Sequence, residues 1–108
     1  MARYLFQAAY TSEAWAALVK NPQNRVEAVR PAIEGLGGYI ESAYFAFGEY
    51  DVVMIAEMPD NVGAAALSLA ASAGGAVKTI KTTPLMTVEE GIEAMRKAAT
   101  SGYRPPTS

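Results

Sequence analysis

The hydrophobic patterning of the chain predicts an α+β fold built on an antiparallel sheet, and three observations carry that expectation. Strand-like segments rich in aromatic and β-branched residues occur four times, at 3–10, 39–47, 52–58 and 77–86. Segments with apolar residues at helical spacing separate the first strand from the second and the third from the fourth, and one more follows the fourth. Only Gly48-Glu49-Tyr50-Asp51 stands between the second and third strands, which is too short for a helix and suits a hairpin.

The first strand rests on alternation, with Tyr4, Phe6 and Tyr10 set against Arg3, Leu5 and Gln7. Thr11 and Ser12 can cap a short helical piece bearing Trp15, Leu18 and Val19, which Asn21-Pro22 interrupts because proline lacks the N–H a helix needs. A longer helix starts at Asn24, with Glu27 three residues on in capping-box position. Val26, Val29, Ile33 and Leu36 mark its apolar stripe, and Pro31 predicts a kink. Gly37-Gly38 ends it through a left-handed turn, and Tyr39 to Phe47 then suits a pleated surface.

After the third strand, Val52 to Met58, Pro59-Asp60 stops the strand and caps the next helix. There Val62, Ala66, Leu69 and Ala73 are expected to share the buried face, with small residues elsewhere letting the helix approach the sheet closely. No residue from Asn61 to Val77 is charged. The stretch is too rich in Ala, Gly and Ser to span a bilayer, which takes about 20 strongly apolar residues, so it reads as a buried helix ended by Gly74-Gly75. The fourth strand, Val77 to Met86, is expected to break at Pro84. Thr87 and Glu90 form a capping box for a last helix, whose Glu89 and Glu90 near the start and Arg96 and Lys97 near the end match the helix dipole. Ile92, Met95 and Ala99 give it an apolar seam.

This order is the βαββαβ arrangement of ferredoxin-like domains plus a C-terminal helix. Right-handed crossovers place its four strands in one antiparallel sheet with both long helices on one face. The opposite face is left bare and carries apolar side chains, so a second copy or the last helix is expected to cover it, and a homo-oligomer, by default a two-fold dimer, follows. Residues 1–101 form one domain and 102–108, with Pro105-Pro106, a flexible tail.

Composition narrows the function classes. Hydrophobic residues make up 51% and charged residues 19%, the balance of a packed globular protein. A net charge of −2 supplies no attraction to nucleic acid or an anionic membrane, so neither is an expected partner. With no cysteine, disulfides, thiolate catalysis and thiolate metal sites are excluded; with no histidine, so is the commonest ligand of zinc, haem and non-haem iron. Neither a metal nor a cofactor is expected, and any catalysis must use carboxylates, Tyr, Lys or Arg. Met1 to Gln7 lacks the apolar run of a secretory signal, which predicts a cytoplasmic setting.

The run Phe47-Gly48-Glu49-Tyr50-Asp51-Val52-Val53 resembles the signature of the GYD-domain family of small bacterial proteins, with Glu49 here standing between the glycine and the Tyr-Asp pair. The likeness extends in order through Tyr10-Thr11, Gly37-Gly38, Tyr50-Asp51 and Lys78-Lys81-Thr82-Thr83, over about positions 3 to 99. It implies a dimeric α/β-barrel type of ferredoxin-like fold. Relatives of that type include cofactor-free oxygenases, isomerases and lyases with a pocket between sheet and helices, and haem enzymes whose histidine ligation this chain cannot reproduce.

The candidate ligand-binding residues are Tyr50, Asp51, Gln7, Glu57, Arg3, Lys78 and Lys81. Tyr50 beside Asp51 can bind a polar ligand or relay a proton, but an Asp in a hairpin also accepts backbone N–H groups while the Tyr packs on the sheet. Parity puts Arg3, Gln7, Asp51 and Glu57 on one sheet face, and Tyr4, Phe6, Val52, Met54 and Met58 on the other. The mixed face suits either a pocket enclosed by dimerisation or a subunit interface with paired charges. Lys78 and Lys81 can hold an anion, or merely guard an edge strand against aggregation. Trp15, Tyr39, Tyr44, Phe45 and Phe47 suit a ligand wall or core and interface filling. Three functions are in view: a small homo-oligomeric binding or accessory domain with an organic ligand beside the sheet; a cofactor-independent isomerase or monooxygenase-like enzyme using Asp51 or Glu57 as base and Tyr50 as donor; and a structural or regulatory oligomer without ligand.

Overall fold

A computed structural model describes residues 1–107. Its elements run β1 (Ala2–Tyr10), α1 (Ser12–Lys20), α2 (Arg25–Gly35), β2 (Tyr39–Phe45), β3 (Val52–Met58), α3 (Asn61–Ala73), β4 (Val77–Leu85) and α4 (Val88–Ala99). The strands form one antiparallel sheet in the order β2-β3-β1-β4, so the chain is α+β and ferredoxin-like, with α1 inserted and α4 appended.

Strand alternation sets which side chains are dry. The register pairs Tyr4 with Ala56 and Phe6 with Met54, and these residues join Met58, Ile33 of α2, and Ala64 and Leu67 of α3 in one buried cluster. Val29, Ile40, Ala43 and Ile80 pack around it. The Tyr4 hydroxyl donates to Asn61 Oδ1 at 2.5 Å, which gives the phenol a partner at the edge of this core. Gly37 supplies the left-handed turn after α2 at φ 89°. At Gly38 any Cβ would collide with the Glu57 carbonyl oxygen and the Met58 sulfur, so that residue admits the chain hard against β3.

Several expectations change. The α3 face is wrong by one step of the helix: Ala64 and Leu67 are buried, whereas Val62 (77% exposed) and Leu69 (70%) face outward. The uncharged helix is therefore only half covered, not a buried one. β2 ends at Phe45, and Tyr39, Tyr44, Phe45 and Phe47 are exposed and fill no core. β4 runs on through Pro84, because an edge strand tolerates a residue that cannot donate. At the start of α2, Asn24 accepts from the Glu27 N–H, but the Glu27 carboxylate takes Arg30 instead of completing a capping box. The Thr87–Glu90 box of α4 is complete, yet no α4 residue is buried and Ile92 and Met95 lie open. Residues 102–107 are exposed and irregular; Ser108 of the expected tail lies outside the described residues. Among the described residues no helix is long and apolar enough to cross a membrane.

Candidate functional site

A cavity of about 250 Å³ lies between the sheet and helices α2 and α3. Its floor is the core side of the sheet: Phe6, Ala8 and Tyr10 from β1, Val52 and Met54 from β3, and Val77 and Ile80 from β4. Val26 and Val29 of α2 wall one side, and Leu67, Ala70 and Ala71 of α3 the other. Small residues create the space. Ala8, Ala70, Ala71, Gly74 and Ala76 stand where larger side chains would close the gap.

The polar groups of this cavity are concentrated in Tyr10 and Arg25. Asn24 caps α2 through its side chain and so makes Arg25 the first helical residue, at the cavity's edge. Arg25 donates to Gln23 Oε1 at 3.2 Å, and among the described residues it has no carboxylate partner. Burial pushes the Tyr10 phenol above its ordinary value, an effect opposed by the positive charge of Arg25 and reinforced by Asp51. At neutral pH Tyr10 therefore keeps its proton and can donate. Its ring meets Trp15 edge-on, with centroids 5.4 Å apart.

Asp51 fixes this end of the sheet. Its Oδ2 accepts from the Tyr10 backbone N–H at 2.9 Å and from the Trp15 indole N–H at 3.2 Å. Its own N–H donates to the Ala8 carbonyl and its carbonyl accepts from Ala46, both at 2.8 Å. The Asp thus joins hairpin, β1 and α1. Tyr50 beside it is half-buried, and its hydroxyl has no hydrogen-bond partner among the described residues.

The remaining candidates stand elsewhere. Arg3 and Glu57 are opposed in the β1–β3 register, and Arg3 Nε lies 2.7 Å from Glu41 and Arg3 Nη2 3.9 Å from Glu57. The Tyr39 hydroxyl donates to Glu57, and that bond, with burial second, raises the phenol's pKa. Gln7 sits opposite Val53 and Lys81. Lys78 falls where the β1–β4 register slips, between Thr79 opposite Ala9 and Val77 opposite Tyr10. Six residues of extended chain, about 20 Å, separate Asp51 from Glu57. The structure therefore brings Arg3 and Glu57 together, sets Gln7 beside Lys81, and leaves Tyr50-Asp51 at the far end of β3.

Tyr10 and Arg25 are absent from the sequence-derived candidates. Two signals pointed to them: Tyr10 shares the parity of Tyr4 and Phe6, and Arg25 follows directly on a helix cap. Among the described residues no group of three or more acidic side chains could hold a metal ion.

No curated protein matches the chain. The family model of the GYD domain matches residues 4–95, from β1 into α4 and across the Gly48–Asp51 hairpin, and the chain belongs to that family.

Proposed function

We propose that this protein is a small homo-oligomeric binding domain that holds a small organic molecule between its sheet and helices α2 and α3. The observation that carries the reading is the apolar cavity of about 250 Å³ with two polar groups at one end, since ligand sites are concave, largely apolar and oriented by a few polar contacts. On this reading the ligand lies on the helix-covered face, away from the bare face where the mixed polar residues stand.

The enzymatic alternative asks for a free base beside Tyr50. Asp51 already accepts two hydrogen bonds and Glu57 is at the other end of its strand, which favours binding over proton transfer at that pair. The homo-oligomer half of the proposal is supported by Leu5, Val53 and Ile55 on the face opposite the core and by the open seam of α4.

A thermal-shift screen of the purified chain against a broad metabolite library tests the reading. At least one compound should give a saturable rise in Tm. The variant Ala71→Phe, which puts a ring into the cavity, should abolish that rise and leave the far-UV circular dichroism unchanged. A flat response across the library would remove the proposal.

A further inference from the structure

Resting on the cavity reading above, we infer that the ligand is a small hydrophobic anion with one charge, its head held by Arg25 and Tyr10 and its body laid against Val29, Met54 and Leu67. Arg25 carries the argument. A guanidinium at the margin of an apolar cavity normally finds a carboxylate, and here none of the described residues supplies one. The nearest acid in sequence, Glu27, is already taken by Arg30 through two bonds of 2.9 Å. Asp51 is held by Tyr10 N–H and Trp15. The positive charge is therefore left for an incoming group, and a carboxylate fits the planar fork of arginine.

Two independent features act in the same direction. Arg25 opens an 11-residue helix, so a bound anion would also meet the positive end of that dipole. Tyr10, which lines the same cavity, adds a neutral donor that can bond an anion and cannot repel it. Size sets the rest of the class: about 250 Å³ is below the roughly 300–1,000 Å³ typical of drug-sized sites, enough for one ring or a short branched chain. A single cation in the lining selects one negative charge. Nucleotides and dicarboxylates exceed the site in volume or in charge.

The test is titration calorimetry of the full chain with matched pairs: benzoate and benzamide, phenylacetate and phenylacetamide, hexanoate and hexanamide, with adipate as the doubly charged control. At least one acid should bind tenfold or more tighter than its amide and tighter than adipate. Arg25→Gln should erase that preference, bringing the acid down to the affinity of its amide in the same variant, and Tyr10→Phe should weaken the acid several-fold. Amides that bind as well as acids, or a preference that survives Arg25→Gln, would overturn the anion and leave the cavity reading standing. If no acid or amide binds, the inference falls. If the library screen is flat as well, the cavity reading falls with it.

Discussion

Asp51 shows how one side chain can organise the end of a sheet. It accepts from the last residue of β1 and from the indole of α1, while its backbone closes the hairpin. Asp51→Ala would leave the Tyr10 N–H without its acceptor and free Trp15, and should cost about 2 kcal/mol in urea unfolding. Trp15 is the sole tryptophan, so its emission should shift to the red in the folded variant; an unchanged spectrum and midpoint would refute this role. Parity had placed Asp51 on one face with Arg3, Gln7 and Glu57, and the register does align Arg3 with Glu57. What parity could not supply is the tertiary partner, because the acceptor's use depends on where α1 swings after Thr11. The cavity was hidden for a similar reason. No motif encodes a gap left by Ala8, Ala70 and Ala71, which arises only once three elements meet.

At the scale of elements, the caps were the most legible feature and the buried faces the least. Thr11, Asn24, Asp60 and Thr87 all cap helices, since capping is local chemistry. In α3, by contrast, no charge marks the solvent side, so the two apolar stripes compete and only packing chooses Leu67 over Leu69. Leu67→Ala should cost about 3 kcal/mol, whereas Leu69→Ala should change stability by less than about 0.5 kcal/mol in the monomeric state. Equal effects would return the face to its expected register. In α4 the capping box lowers the Glu90 pKa, chiefly through its backbone bond with Thr87, with Arg3 a smaller influence. A lowered folded value means the contribution is complete above the unfolded glutamate value of about 4.3 and is lost as pH falls through the folded one. The protection factors of residues 88–99, taken against intrinsic exchange at each pH, should therefore fall in acid below that value, and Thr87→Ala should flatten the response.

For the whole molecule, the shape is the argument for a partner. The radius of gyration is 17.4 Å, against about 13 Å for a compact chain of this length, and no residue of α4 is buried. A helix with a complete cap and an exposed seam of Val88, Ile92 and Met95 gains little by standing alone in water. Arg3 pairs with Leu85 at the end of β4, three residues before α4 starts at Val88, so the helix begins at the end of the sheet where Arg3 stands. In the proposed homo-oligomer a second copy would bury seam and face together. Sedimentation equilibrium should then give at least twice the 11.4 kDa chain mass at micromolar concentration. Ile55→Lys, a charge in the middle of that face, should shift the population toward monomer by tenfold or more in dissociation constant, while Lys81→Ala at its margin should not. A chain that sediments as a monomer at these concentrations, with α4 protected from exchange all the same, would mean that α4 folds back on its own sheet and that the bare face needs no partner.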